Sequence, residues 1–166
     1  MMIIKICGLL PSHVKDQKIS KMTALKYKPA TYTVETEFAK PAREVFNHII
    51  DLSHWWPEEF EGKGLQLDSE FVLKTGDSHY SKNKVIEFVP DKKFVWLTTS
   101  SIRKTDHYDW TDTKFIFELI PNGDHTLLVF TYDGVMLENE SDRLKQICDM
   151  TIKEMLSKFI NAGKEK

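Results

Sequence analysis

Apolar and polar side chains alternate along the chain from residue 31, which is the pattern of a strand with one buried face. Tyr32, Val34 and Phe38 lie on the apolar face of this predicted strand. Val45 and Ile49 follow at helical spacing and predict a short helix after the strand. The regular part of the chain is therefore expected to begin with a strand and a short helix.

An aromatic and acidic segment follows this short helix. Pro57 stands where a second short helix could begin, because the fixed φ of proline suits the first helical position. Gly62 and Gly64 then predict the end of that helix. Neighbouring residues in a helix diverge by about 100°, so we expect at most one of Trp55 and Trp56 to face inward.

Five further stretches have the composition of strands and are separated by turn signals. Short connections between consecutive strands favour an antiparallel meander. The exception is a longer polar link over residues 102–112. The five predicted strands are Glu70–Lys74, Tyr80–Val89, Phe94–Ser101, Thr113–Ile120 and Thr126–Asp133.

The last predicted element is one long helix that begins at Glu140 or Ser141 and stops at Gly163. A helix of about 20 residues is about 30 Å long, which is enough to cross a whole sheet. Apolar residues at spacings of three and four predict its buried face. They are Leu144, Ile147, Cys148, Thr151, Met155, Leu156 and Phe159.

Composition narrows the class of protein. The chain has 166 residues, 41% of them hydrophobic, so one globular domain with a sizeable core is expected. A net charge of −2 argues against general nucleic-acid binding, and two cysteines cannot form a disulfide framework or a structural zinc site. The sequence has no secretory signal and no apolar stretch of ~20 residues, which predicts a cytoplasmic protein without a membrane span.

Residues 1–28 differ from the rest, because they are rich in lysine and sustain neither helical nor strand periodicity. We therefore predict an N-terminal extension over residues 1–28, loosely docked or flexible, and a folded domain over residues 29–166. An alternative is that Met22 is the true start of the protein, since the ordered pattern begins shortly after it.

The usual motifs of enzymatic chemistry are absent from the sequence. It has no Gly-x-Ser-x-Gly elbow, no phosphate-binding glycine loop and no histidine pair at metal-binding spacing. No catalytic residue, metal site or cofactor is predicted. Cys148 is expected to be an inert packing thiol, and the acidic group Glu58, Glu59 and Glu61 is most simply a solvated face.

Three segments, taken in order, resemble the START-like (SRPBCC) superfamily. The resemblance covers residues 31–162 and is strongest to the family similar to the C-terminal domain of the activator of the heat-shock-protein-90 ATPase. The segments are Ala42–Ile49 followed by Trp55–Pro57, then Val85–Trp96, and finally Thr113–Leu119 followed by Thr126–Thr131.

This resemblance implies an α+β helix-grip fold. Its expected parts are a six-stranded curved antiparallel sheet wrapped around the long C-terminal helix, and two short helices after the first strand. The resemblance also implies a cavity between the sheet and the long helix, in which members bind hydrophobic small molecules and a minority catalyse reactions on them. Fold alone does not choose between these outcomes.

Aromatic side chains are the candidate walls of that cavity, because pockets for apolar ligands are mostly hydrophobic with a few polar groups. Core packing is the alternative interpretation for each of them. His54 and His107 are the candidate polar groups near the cavity mouth. The candidate ligand-binding residues are Trp55, Trp56, Phe60, Phe71, Tyr80, Trp96, Phe117, Tyr132 and Met155.

Three functions stay open at this point. The first is binding of a small hydrophobic or aromatic molecule without catalysis. The second is a cyclase or dehydratase-type enzyme, whose acid or base would be among His54, His107, Glu35, Glu87 and Tyr132. The third is a protein-interaction or chaperone-cofactor module, which would expose aromatic residues such as Trp56, Phe60 and Trp110.

Overall fold

The computed structural model describes residues 26–104 and 109–163. The predicted extension up to residue 25, with Met22, and the candidate His107 lie outside the described residues. The strands and short helices are β1 (Tyr27–Phe38), α1 (Ala42–Ile49), α2 (Leu52–Trp55), β2 (Glu59–Glu61), β3 (Glu70–Thr75), β4 (His79–Val89), β5 (Lys93–Arg103), β6 (Lys114–Asn122) and β7 (His125–Leu137). The C-terminal helix follows as α3 (Ser141–Asp149), a π-helical stretch (Met150–Leu156) and α4 (Ser157–Ala162).

The strands form one antiparallel sheet in the order β1-β7-β6-β5-β4-β3-β2. Strands β2 to β7 are a meander, and β1 joins it at the far edge by pairing with β7 from Tyr27↔Leu137 to Phe38↔Thr126. The C-terminal helix packs on one face of this sheet, where β1 and β7 meet it. The predicted helix-grip fold, with two short helices after the first strand, is confirmed.

The sheet has seven strands among the described residues, one more than predicted. The additional strand is β2, and the second short helix α2 ends before Pro57, so the helix predicted to start at Pro57 is wrong. The alternation of side chains accounts for strand β2. The Phe60 ring packs on Phe71 with centroids 5.6 Å apart, while Glu59 and Glu61 on either side of it face solvent. Lys74 on β3 pairs with both carboxylates.

The buried face of the C-terminal helix differs from the predicted one after Thr151. Ile147, Met155 and Phe159 are only half-buried. Leu144 and Ile160 would point about 160° apart in an ideal α-helix, yet both are buried here. The wider turns of the π-helical stretch bring the two onto one face. The buried residues of the helix are Leu144, Cys148, Thr151, Ile152, Leu156 and Ile160.

The core lies between the sheet and the helices, and its centre is aromatic. Trp96 is fully buried and stacks on Phe115 with centroids 4.8 Å apart and on Phe117 with centroids 5.4 Å apart. Within the two described ranges, the structure contains no helix that has both the length and the apolar character needed to cross a membrane.

Candidate functional site

A cavity of about 170 Å³ lies between the concave face of the sheet, helix α3 and the segment that follows α2. Its wall is mostly apolar, with Phe115, Phe130 and Leu144 on opposite sides. Two larger hollows, of about 460 and 700 Å³, have polar and charged linings without an aromatic wall. The smaller cavity is lined by Trp56, Pro57, Glu58, Arg103, Trp110, Phe115, Phe130, Tyr132, Leu144, Ile147, Cys148 and Thr151.

Two of the nine predicted ligand-binding residues, Trp56 and Tyr132, line this cavity. The Tyr132 hydroxyl donates a hydrogen bond of 2.6 Å to the Val135 carbonyl oxygen. Tyr132 therefore contributes its ring to the cavity wall, while its hydroxyl is bound to the backbone. Trp55, Phe71, Trp96 and Phe117 are buried in the core beside the cavity, and Phe60, Tyr80 and Met155 are half-buried outside its lining.

Trp55 and Trp56 are both directed inward, contrary to the expectation that at most one would be. Trp55 is buried, and its indole N–H donates to the Ile49 carbonyl oxygen at 3.0 Å. Trp56 follows the end of α2 with extended backbone, so the helical divergence of about 100° does not apply to the pair. The two rings meet edge to face with centroids 5.4 Å apart.

His54, predicted near the cavity mouth, and the candidate acids or bases Glu35 and Glu87 lie elsewhere in the described structure. His54 has a 66% exposed side chain, and its Nδ1 lies 2.6 Å from an Asp51 carboxylate oxygen. Glu35 is exposed, and Glu87 is half-buried in an ion pair with Lys93 at 3.2 Å. None of these three residues lines the cavity.

Glu58 lines the cavity and forms a buried polar pair with His79, which lies outside the lining. The Glu58 side chain is 13% exposed and the His79 side chain 4%, so the interpretation of Glu58 as a solvated surface residue is wrong. His79 Nδ1 is hydrogen-bonded to Glu58 Oε1. Thr75 donates to the same oxygen at 3.2 Å, and the Trp56 indole donates to Oε2 at 3.3 Å.

These donors decide the charge of Glu58. Burial alone would raise the pKa of Glu58. The hydrogen bond and the charge of His79, with the hydrogen bonds from Trp56 and Thr75, outweigh burial and hold the pKa of Glu58 below its ordinary value. Glu58 is therefore an ionised carboxylate at neutral pH.

A row of polar cross-strand pairs extends from Glu58 and His79 across the buried face of β4 and β5. Opposite neighbours are His79 and Arg103, then Ser81 and Ser101, then Asn83 and Thr98. Thr98 donates to the Asn83 amide oxygen at 2.9 Å, and the Arg103 guanidinium carbon lies 5.8 Å from the centre of the Trp110 ring. In the sequence of β4, this row appears only as polar residues two apart, which is also the pattern of a solvent-facing strand surface.

The Cys148 thiol lines the cavity as a neutral group. Burial, with a smaller contribution from the Asp149 charge, raises the pKa of Cys148 to about 12. A thiol with this pKa is not a nucleophile at neutral pH. Across residues 26–104 and 109–163, no group of three or more His, Cys, Asp or Glu side chains could hold a metal ion.

Comparisons with known proteins identify the fold. The sequence profile of the activator of Hsp90 ATPase homolog 1-like proteins matches residues 39–160. No curated protein matches the chain by sequence.

Solved structures agree with this match. Protein Mll3558 from Rhizobium loti has a TM-score of 0.65 and 16% identity, over 80% of this chain and 98% of that one. The Aha1 dimer from Colwellia psychrerythraea has a TM-score of 0.60 and 16% identity, over 80% and 95%. A START superfamily protein from Mycobacterium smegmatis has a TM-score of 0.59 and 20% identity, over 80% and 94%. At these identities the likeness is one of fold.

Proposed function

This chain belongs to the family of activator of Hsp90 ATPase homolog 1-like proteins, and from that premise we propose that it binds a small hydrophobic or aromatic molecule in the cavity between the sheet and the C-terminal helix. The observation that carries the proposal is the cavity itself. It is walled by aromatic and aliphatic side chains and has a polar end, which is the composition of small-molecule sites.

The volume of the cavity favours a ligand with a single aromatic ring. An apolar cavity of about 150 Å³ engineered into another protein accommodates benzene, and the cavity here measures about 170 Å³. The rings of Phe115 and Tyr132, which meet edge to face with centroids 5.7 Å apart, offer a flat ligand aromatic contacts.

Titration with toluene, followed by backbone amide NMR, tests this proposal. We expect the largest shifts at Leu144, Ile147 and Thr151, which line the cavity on the helix. Ile147→Phe should fill the cavity and weaken toluene binding at least about tenfold, because the added ring occupies the space of the ligand.

Met150→Phe is the matched control, since Met150 lies on the same helix with 45% of its surface exposed. It should leave toluene affinity within about twofold. Toluene shifts that fall outside the cavity, or that survive Ile147→Phe unchanged, contradict the proposal.

A second candidate function is proton-transfer catalysis of the cyclase or dehydratase type. The observation that favours it is the ionised Glu58 at a mostly apolar wall, because shifted carboxylates in clefts are candidate acids and bases. Native mass spectrometry of the protein purified from its own source separates the two functions. A retained molecule of constant mass supports binding alone, whereas conversion of that molecule during incubation supports catalysis.

A further inference from the structure

We infer that Glu58 Oε2 is the polar subsite of the cavity, where it accepts a hydrogen bond from the hydroxyl group of a single-ring aromatic ligand. The inference rests on the proposed function and names the chemical class of the ligand as a phenol. It depends on where Glu58 lies, on the acceptor position that its neighbours leave open, and on the charges around the cavity.

Glu58 belongs to the cavity wall itself, and its side chain keeps 13% of its surface exposed. Oε2 accepts a hydrogen bond from the Trp56 indole N–H at 3.3 Å. The Trp56 ring in turn meets the Phe115 ring edge to face, with centroids 5.8 Å apart, and both rings line the cavity. Oε2 is therefore held beside the aromatic wall that would contact a ring-shaped ligand.

The neighbours of Glu58 leave part of its carboxylate open to a ligand. A carboxylate offers about four acceptor positions, two on each oxygen. Oε1 accepts from the Thr75 hydroxyl at 3.2 Å and from His79 Nδ1, which is the donor to this ionised group whether or not the imidazole is charged. Among the described residues, Oε2 accepts only from Trp56. The open acceptor position is therefore on Oε2.

The charges around the cavity favour a neutral donor over a cation. Arg103 also lines the cavity, and it stands opposite His79 across β4 and β5, so a positive charge already accompanies the Glu58 carboxylate. An ammonium group would bring a further positive charge to this wall and would lose more hydration than a hydroxyl group does. A phenol places a neutral O–H at Oε2, in a hydrogen bond that the charge of the carboxylate strengthens.

Comparison of phenol with toluene in the unmodified protein tests the subsite, because the two molecules differ only in a hydroxyl or a methyl group on the ring. Phenol loses hydrogen bonds to water when it is buried, so a cavity without the subsite should prefer toluene by about tenfold or more. With the subsite, phenol should bind at least as tightly as toluene. The Glu58 carboxyl resonance in ¹³C NMR should then shift with phenol and not with toluene.

Two substitutions locate the effect at Glu58. Glu58→Gln keeps the size of the side chain but removes its charge, so phenol affinity should fall at least about tenfold while toluene affinity stays within about twofold. Glu59→Gln is the matched control, since the Glu59 side chain is 69% exposed and lies outside the cavity lining. It should leave both affinities within about twofold. If Glu58→Gln does not fold, the unmodified protein and its Glu58 carboxyl resonance still decide the question.

Anisole identifies which group of the wall contacts the ligand. Its ether oxygen accepts hydrogen bonds but cannot donate one to Glu58, so anisole should bind no more tightly than toluene. A donor on the wall, such as the Arg103 guanidinium, would instead bind the anisole oxygen. Tighter binding of anisole than of toluene would therefore overturn the assignment to Glu58.

The outcomes separate this inference from the proposed function. Tighter binding of toluene than of phenol by the unmodified protein overturns the subsite and leaves the cavity as an apolar binding site. A phenol affinity that Glu58→Gln leaves unchanged, or a Glu58 carboxyl resonance that phenol does not move, also overturns it. Failure of both compounds to bind overturns the proposed function and the subsite together.

Discussion

Glu58 shows how strongly one residue's chemistry depends on its neighbours. Three acidic residues stand within four positions of the chain, yet they have different surroundings. Glu58 is enclosed with His79, Thr75 and Trp56, whereas Glu59 and Glu61 are exposed beside Lys74. These neighbours hold the pKa of Glu58 below its ordinary value, so this carboxylate is expected to couple stability to pH.

The first prediction concerns Glu58→Gln. Because the folded pKa of Glu58 lies below its ordinary value of 4.5, its ionised form stabilises the fold above that pH, and this stabilisation is lost as pH falls through the folded pKa. We expect the substitution to lower the free energy of unfolding by about 1–2 kcal/mol at pH 7. The difference from the unmodified protein should shrink below about pH 4.5.

Urea denaturation at a series of pH values measures this effect. Glu59→Gln is the matched control, because its side chain is 69% exposed and its ion pair with Lys74 spans 3.8 Å. It should change the free energy of unfolding by less than about 0.5 kcal/mol at any pH. A deficit in Glu58→Gln that stays constant down to pH 3 would show that the charge of Glu58 contributes nothing.

The sequence could not predict this residue's environment, for a physical reason. Apart from the neighbouring Trp56, the partners of Glu58 are 17 and 21 positions away along the chain, at Thr75 and His79. Strand β2 brings them together, and that strand is only three residues long. Local periodicity carries no information about a pairing of that range, so the sequence by itself predicts a solvated surface at Glu58.

At the level of elements, the C-terminal helix shows where periodicity succeeds and where it fails. Its start, its length and its end at Gly163 follow from the sequence. The inward positions up to Thr151 also agree, except for the half-buried Ile147. Beyond Thr151 the π-helical stretch moves the buried face onto Ile152, Leu156 and Ile160. A regular helix of 3.6 residues per turn predicts Met155 and Phe159 beside Leu156, and misses Ile152 and Ile160.

The second prediction concerns deletion of Glu154, an exposed residue of the π-helical stretch. A π-bulge contains one residue more than the α-helical turn it replaces. Deletion should restore a regular α-helix in which Leu156 and Ile160 stay on the buried face. We expect the free energy of unfolding to change by less than about 1 kcal/mol, while toluene binding weakens because the wall at Thr151 moves.

Deletion of Lys145, which is exposed in α3, is the matched control. It rotates Leu144 by about 100° away from the buried face. We expect the free energy of unfolding to fall by about 2–4 kcal/mol, as it does when a buried leucine is lost. Both free energies follow from urea denaturation. An equal loss in the two deletion variants would contradict the assignment of the extra residue to the π-helical stretch.

At the scale of the whole molecule, the architecture was more predictable than the site. The order of the elements and the antiparallel meander follow from apolar alternation and turn residues, and the resemblance to a known superfamily supplied the helix-grip arrangement. The residues that line the cavity were harder to predict from the sequence. A lining residue such as Phe115 and a core residue such as Phe117 lie on the same face of one strand and have the same side chain. Only the positions of α3 and α2 in the folded protein decide which of the two phenylalanines faces the cavity.

The division into an extension over residues 1–28 and a folded domain stays a prediction, and β1 supplies its test. This strand begins at Tyr27 and is paired along its full length with β7. It also holds the C-terminal helix, because the Tyr32 hydroxyl donates to an Asp149 carboxylate oxygen at 3.2 Å and Val34 is buried. The integrity of the fold should therefore depend on residues from Tyr27 onward.

The last prediction compares two shortened chains with the full one. A chain that begins at Met22 keeps all of β1, so its free energy of unfolding should match that of the full chain within about 0.5 kcal/mol. A chain that begins at Thr36 loses Tyr32 and Val34 and should be less stable by at least about 3 kcal/mol, since burial of one such side chain contributes about 1.5–3 kcal/mol. Urea denaturation measures both. A large loss in the chain that begins at Met22 would mean that the first 21 residues pack on the domain, and the domain boundary would then move toward residue 1.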